Sequence, residues 1–325
     1  MQVLQSFAIR AGYAVILLVA VLVLNFSMMH LAPGDVADTI SQSMGGADQE
    51  LLDQIRVDYG LDQPFYIQLG HYIGGVLQFD LGFSFFYNQP VTELILQRLP
   101  ATLLLVITAQ LLALFIGVIM GVVSARKPNG ILSHFVTFLA LFGYAAPVFW
   151  TGILLLIAFS LKVQWFPVAG MQDVTIEGGF WAQFVDIARH MVLPVITLGS
   201  LFLALYSRLA RATMMETLGS DFVRTAKAKG LSTNQVVYKH ALKNSLSPVI
   251  TLAGLQFSAV ISGAVLVEAV FSWPGLGTLA FQSIIARDTP TILGILFFSA
   301  LVVIVGNLLT DLALRLVDPR VGGKG

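Results

Sequence analysis

The 325-residue chain contains no cysteine, which excludes disulfides, thiolate metal sites and cysteine-based catalysis. That absence does not decide the redox compartment. Charge is scarce too: Asp, Glu, Lys and Arg make up 11% of the residues against 57% hydrophobic ones, and 18 basic residues balance 18 acidic ones. A net charge of zero identifies no partner, so the distribution of charge has to speak instead. Signatures of chemistry are also missing. A phosphate-binding loop needs G-x-x-x-x-G-K-[ST], yet the only Gly-Lys pair, Gly323–Lys324, is followed by Gly325. The chain therefore does not hydrolyse ATP alone. H-E-x-x-H and G-x-S-x-G are absent, and His30, His71, His134, His190 and His240 are scattered without metal-ligand spacing. His30 and His190 read as interfacial residues near outer span ends, His134 near an inner one. No catalytic, cofactor or metal site is expected.

What the chain has is long apolar runs. Six stretches, at about 8–31, 100–125, 131–161, 190–216, 245–271 and 290–316, are rich in Leu, Val, Ile, Ala and Phe without alternation. A bilayer span needs about 20 apolar residues, and a helix satisfies its own backbone inside lipid. The fold class expected is an all-α integral membrane protein with six transmembrane helices. Strands of a membrane barrel would alternate in polarity, and these runs do not. The first run, Ala11–Met29, exceeds the ~7–15 apolar residues of a secretory signal and lacks a small-x-small site, so it is expected to remain as a span.

Charge orients the set. With the N-terminus inside, the inner segments hold thirteen Lys and Arg, from Arg10, Arg126 and Lys127 to Arg315, Arg320 and Lys324, whereas the outer ones hold five, Arg56, Arg98, Lys162, Arg189 and Arg287. This is the positive-inside pattern, with both termini cytoplasmic. The expected organisation is a first helix over 1–31, an outer segment over 32–99, a five-helix core over 100–316 and a cytoplasmic tail over 317–325. The outer segment reads as a small cap of short helices, "DQELLDQIRVDYGL" and "PVTELILQRLP", joined by turns such as "LGFSFFYNQP". Within the core lie an outer loop, 162–189, whose Trp165 and Trp181 suit a membrane interface, and a charged inner loop, 217–244.

Polar groups within spans are costly and often functional. Asn25, Gln110 and Gln256 read as hydrogen bonds between helices, the glue of lipid-embedded bundles. Glu268 and Asp311 fall near span ends and read as interfacial; Asn307 completes the set. No acid sits convincingly deep in the bundle, which disfavours a proton-coupled carrier. Pro147, mid-span between Gly143 and Gly152, breaks a backbone hydrogen bond and reads equally as a packing kink or a gating hinge.

The inner loop "DFVRTAKAKGLSTNQVVYKHALKNSL", Asp221 to Leu246, concentrates charge: with Arg211 it carries Arg224, Lys227, Lys229, Lys239 and Lys243. Ser220 or Asp221 can cap a helix over "FVRTAKAK", Gly230 suits the left-handed residue that ends it, and Ser232 or Thr233 can cap a second helix, "NQVVYKHAL". Ala226 and Ala228 would give this hairpin a low-profile surface for a docking protein. A solvated positive-inside loop, or contact with anionic lipid, accounts equally for the charge.

The stretch "DFVRTAKAKGLSTNQVVYKHALKNSLSPVI" resembles the cytoplasmic loop of ABC-importer permeases, in the branch that serves dipeptides, oligopeptides and nickel. "MMHLAPGD", "YGLDQPFYIQ", "LQFDLGFSF", "RLPATLLL" and "FSWPGLGTL" resemble the same branch, so the likeness covers nearly the whole chain. In that superfamily an Ala-containing helix and a glycine form the coupling element that docks on the ATPase. Ala226 takes the second alanine of the family's Glu-Ala-Ala signature and Gly230 its glycine. Arg224 and Thr225 replace the Glu and the first Ala, and of the later Ile-x-Leu-Pro segment only Leu242 survives among His240–Lys243. The resemblance implies a coupling loop containing Asp221, Arg224, Thr225, Ala226, Lys227, Gly230 and Leu242. It implies as partners a homologous second permease, two ATPases that hold ATP and magnesium, and an external binding protein, in a bacterial inner membrane. The cargo implied is a small solute, with peptides first and nickel, glutathione, opines or oligosaccharides open. The rival reading is a self-sufficient secondary carrier or channel.

Overall fold

The computed structural model describes residues 2–31, 53, 56, 57, 60, 62–173, 175 and 178–317, apart from the side chains of 2–11, 14, 29, 132, 139–142, 144, 311 and 313–317. Most of the expected outer helix "DQELLDQIRVDYGL", the side chain of Asp311 and residues 318–325 of the tail lie outside the described residues.

Helix dominates. The order is α1 (Gln2–Leu31), α2 (Phe65–Leu77), strands β1 (Phe83–Ser84) and β2 (Gln89–Pro90), α3 (Val91–Arg126), α4 (Ile131–Ala145), α5 (Val148–Leu155) prolonged by a π-helical turn (Leu156–Lys162), and α6 (Phe180–Leu218). Then come α7 (Asp221–Ala228), a π-helical turn (Gln235–Ala241) leading into α8 (Leu242–Leu255), α9 (Phe257–Phe271), α10 (Leu276–Ile285) and α11 (Thr289–Val317). Among the described residues, Val91–Arg126, Phe180–Leu218 and Thr289–Thr310 are each long and apolar enough to cross a membrane; 235–255 and 257–271, bent by 51° at their junction, make a fourth if taken together. The first and third apolar runs appear as the shorter apolar helices Val15–Met28 and Val148–Lys162.

Two expectations for the outer segment are corrected. "PVTELILQRLP" is not a separate helix but the first turns of α3, which continues through Pro100. Glu93 favours that early start, because a carboxylate in the first turn meets the positive end of the helix dipole. "LGFSFFYNQP" is not a Gly-rich turn but a hairpin, with Phe83 opposite Pro90 and Ser84 opposite Gln89. Asn88, at φ 52°, supplies its left-handed residue, a conformation asparagine tolerates better than most side chains.

The chain divides into two compact units, one built from residues up to Pro100 with Gly275–Ile304, the other from Ala101–Pro274 with the residues from Val305 onward. In the first, Leu22, Val91, Leu94, Ile95, Leu279 and Phe298 share one core. The Ser84 hydroxyl and the Thr291 hydroxyl each donate to the buried Asp288 carboxylate at 2.6 Å, so the hairpin is tied to the start of α11.

In the second unit α6 is the central element, packed against α4, α5, α8 and α9. Its Leu198, Phe202 and Tyr206 join Leu105 and Ala109 of α3 and Val260 of α9 in the main core. Lipid tails are as apolar as Leu, so helices gain from meeting only where backbones approach closely. Gly117 and Gly121 of α3 supply that approach in a G-x-x-x-G spacing. A methyl built on Gly121 would stand 2.6 Å from Ala210 Cβ and 2.7 Å from the Ser207 carbonyl oxygen of α6. Gly254 of α8 lies likewise against Thr310 of α11, and Gly306 of α11 against Phe257 of α9. Gly121→Val is therefore expected to lower stability by about 1–3 kcal/mol through overpacking. A depressed melting temperature of the detergent-solubilised full chain would register this, whereas Gly70→Val, inside α2 with nothing within 4 Å, should not depress it.

Candidate functional site

The charged loop folds as the sequence patterning anticipates, with one exception at its start. Ser220 is extended at φ −73°, ψ 157°, but its hydroxyl caps nothing; it donates back to the Thr217 carbonyl at 2.6 Å. Asp221, in the first turn of α7, meets the positive end of the helix instead. The helix ends in a Schellman motif: the Gly230 N–H donates to the Lys227 carbonyl (3.0 Å) and the Leu231 N–H to the Ala226 carbonyl (3.4 Å). Gly230 stands at φ +79° with nothing within 4 Å of an added Cβ, so its conformation, not its bulk, requires glycine. Ser232, rather than Thr233, opens the second helix through a capping box: the Gln235 side-chain carbonyl accepts the Ser232 N–H (3.1 Å), and the Ser232 hydroxyl accepts the Gln235 N–H (3.4 Å).

The hairpin then closes on a small core of its own. Val223 and Ala226 of α7 and Val236, Val237 and Ala241 of the π-helical turn are buried with Val122 and Ala125 of α3 and Met214 of α6. Leu242, half-buried, packs against the same cluster. Polar contacts add to it. The Arg126 guanidinium, at the end of α3, donates to the Asn234 side-chain oxygen at 3.0 Å and lies over the Tyr238 ring at 5.9 Å. The Thr213 hydroxyl of α6 donates to the Ser245 carbonyl of α8 at 3.1 Å. Burying a valine contributes roughly 1.5–3 kcal/mol. An exposed ion pair such as Asp221–Arg224, at 3.3 Å, contributes roughly 0–1 kcal/mol. Apolar burial, not charge, therefore sets the hairpin on the helix ends.

This overturns one expectation. Ala226 is not part of an outward surface; it is 7% exposed and faces the chain's own core. Spaced three residues apart on α7, Val223 and Ala226 form its inward stripe. The outward face consists of Asp221, Phe222, Arg224, Thr225, Lys227, Ala228 and the adjoining Gly230. Phe222, an exposed aromatic between the charged Asp221 and Arg224, carries no periodic signal that would mark it in the sequence.

The polar residues of the spans are also redistributed. Glu268 is not interfacial: it is fully buried, and the Thr102 hydroxyl donates to its carboxylate at 2.6 Å. Ser272, left-handed at φ 50°, ends α9 and turns Trp273 inward, where its indole N–H donates to the Ala101 carbonyl at 2.9 Å. The "FSWPGLGTL" stretch thus helps build a polar tie between α9 and α3, which Thr–Glu separation in sequence could not reveal. Gln110 does bridge helices, donating to the Tyr206 hydroxyl (2.8 Å) and the Ala253 carbonyl (2.9 Å). Gln256 is the residue at the bend between α8 and α9. Asn25 is buried, but its side-chain N–H group finds no partner among the described residues. Asn307 is exposed. Pro147, extended at ψ 134°, separates α4 from α5 outright. An added methyl on Gly143 or Gly152 would crowd the Ser200 carbonyl or the Thr197 methyl of α6, at 3.0 and 3.2 Å.

In the stretch expected as an outer loop, Trp165 and Trp181, the latter in the first turn of α6, are exposed. His190 is buried, its Nδ1 2.9 Å from the Asp186 carbonyl oxygen. The Asp186 carboxylate accepts the Asp173 N–H at 2.7 Å. The backbone N–H and hydroxyl of Thr175 hold the Asp173 carboxyl below its ordinary pKa. No group of three metal-ligating side chains occurs among the described residues.

The hairpin thus has a buried inner face, a charged outer face and ties to three helices. Residues 113–323 match the family described as "Binding-protein-dependent transport system inner membrane component", and residues 3–106 match its N-terminal counterpart. The chain belongs to this family. It is 38% identical to the oligopeptide transport system permease protein AppB of Bacillus subtilis over 96% of this chain and 97% of that one. It is 37% identical to the dipeptide transport system permease protein DppB of Escherichia coli K12, over 99% of both. In fold it is similar to a chain of the inward-facing MetNI methionine ABC transporter, with a TM-score of 0.56 at 16% identity, over 69% of this chain and 96% of that one. As a member of the family, the chain is the membrane component of an ABC importer and not itself the ATP-hydrolysing enzyme.

The caps give this component a test independent of transport. Gly230→Ala is expected to cost about 1–2 kcal/mol for its left-handed residue, and Ser232→Ala about 1 kcal/mol for its cap. Both should raise hydrogen exchange of the amides in 223–237 without altering those of α6.

Proposed function

We propose that this chain is one of two homologous permeases of a bacterial importer that carries peptides delivered by an external binding protein. Six helices span the inner membrane, both termini lie in the cytoplasm, and residues 219–243 dock on cytoplasmic ATPases that hold ATP and magnesium. The observation that carries the reading is the hairpin. Its outward face offers Asp221, Phe222, Arg224, Thr225 and Lys227, while its inward face is fixed to α3, α6 and α8. A force applied to the outward face is therefore delivered to the ends of helices, as coupling between an ATPase and a bistable bundle requires. ATP binding closes the ATPase pair, the hairpin follows, and the bundle changes from inward-facing to outward-facing to receive cargo; hydrolysis resets it. Peptide as the cargo is supported by the oligopeptide and dipeptide permeases to which the chain is similar along nearly its whole length. The buried Glu268 does not make it a proton carrier in this reading, because its carboxylate is engaged by Thr102 in a helix-to-helix tie.

The test is purification from the native membrane without crosslinking, comparing the wild type with Gly230→Pro. Proline cannot adopt the φ of +79° and lacks the N–H that meets Lys227. The expected outcome is that two ATPases and a second permease accompany the wild type, and that the variant keeps the permease but loses the ATPases. A chain that emerges alone and transports in liposomes without ATP would contradict the proposal.

A further inference from the structure

Between the hairpin and the α3–α4 turn lies a cavity of about 550 Å³, which shares only Lys227 with the outward face proposed for docking. Three cations line it: Arg126 at the end of α3, Lys127 in the turn that follows, and Lys227 from α7. Gly130 and Ile131, at the first turn of α4, line it as well, bringing the partial positive charge of a helix start. No carboxylate is among its lining residues. Arg126 spends part of its guanidinium on Asn234, but Lys127 and Lys227 have no partner that competes with an anion in the lining set. Apart from Thr233, the remaining wall is apolar, from Val123 and Leu218 to Ile131, which is 90% exposed. A site lined by both cations and apolar side chains matches a molecule that has both an anionic and an apolar part.

We infer that this cavity binds the phosphate headgroup of an anionic phospholipid, bridging Lys127 of the α3–α4 turn to Lys227 of the hairpin. The inference rests on the proposed placement of the hairpin at the inner membrane face, where anionic headgroups are available and basic pockets between helices take them up. Ile131 and Val123 lie alongside for the glycerol and upper acyl chain. A free phosphate would use the cations but not the apolar wall. A carboxylate from a docked ATPase is the competing occupant, and the mixed lining favours the lipid.

The experiment uses native mass spectrometry on the delipidated full chain, titrated with phosphatidylglycerol, with phosphatidylcholine of the same acyl chains, and with inorganic phosphate. Each juxtamembrane cation is worth roughly five-fold in affinity for an anionic lipid. Lys127→Gln with Lys227→Gln is therefore expected to weaken phosphatidylglycerol binding by roughly 25-fold. Lys239→Gln with Lys243→Gln, on the same loop but outside the cavity, should leave it near the wild-type value. Equal weakening in both variants would reduce the effect to diffuse attraction and overturn the site. So would no preference for phosphatidylglycerol over phosphatidylcholine. Displacement of the lipid by inorganic phosphate would assign the cavity to free phosphate. The same titration on preparations carrying the ATPases separates the last possibility: lipid bound in their presence supports the inference, and lipid expelled by them assigns the cavity to a protein carboxylate. Absence of ATPases from every preparation would contradict the coupling proposal while leaving the lipid result standing.

Discussion

The buried apolar contact between the charged hairpin and the ends of α3, α6 and α8 is the constraint on which the rest depends. A loop of lysines at a membrane surface would by itself be solvated and mobile, because its charges gain more from water than from each other. Val223, Ala226, Val236 and Val237 change that by withdrawing one face from solvent. The Schellman turn at Gly230 and the capping box at Ser232 then fix the angle between the two arms, satisfying backbone groups that the reversal would otherwise leave open. The outward face can be polar and variable since stability does not rest on it. This separation explains how Arg224 and Thr225 can stand where the wider superfamily is expected to have Glu and Ala, while the inward Ala226 and the left-handed Gly230 fit the pattern.

The same logic extends into the bundle. Two-state movement needs elements that move as bodies, and small residues at crossings make helices behave so. Gly117 and Gly121 bring α3 against α6; Gly143 and Gly152 bring α4 and α5 against the same helix. Gln110 and the Thr102–Glu268 contact add directional ties in an environment where an unmet polar group is expensive. The breaks at Pro147 and Gln256 divide what the apolar runs present as continuous spans.

Much of this was legible in the sequence because its signals are local. Apolar run length and the cap residues of the hairpin are each read within a few positions of each other. What escaped depends on contacts far apart in the chain. Glu268 looked interfacial from its distance to a span end, and only the approach of Thr102, 166 residues away, makes it interior. Ala226 looked outward because alanine next to lysine suggests a surface, although its spacing from Val223 already marked the buried stripe. The G-x-x-x-G of α3 is a local signal for the close approach of α6. The hairpin at Phe83–Pro90 was masked by its brevity, since two-residue strands leave no alternation to detect.

The central claim is that the hairpin and the helix ends beneath it form one body. The absence of cysteine permits a direct measurement: spin labels at Ala228→Cys on α7 and Asn129→Cys in the α3–α4 turn, with the distance distribution recorded in the purified assembly without nucleotide and with ATP trapped. The account predicts one narrow distribution, unchanged between the two states. A distribution that broadens or shifts on ATP binding would mean that the hairpin moves independently of α3, and the lever would have to be sought elsewhere.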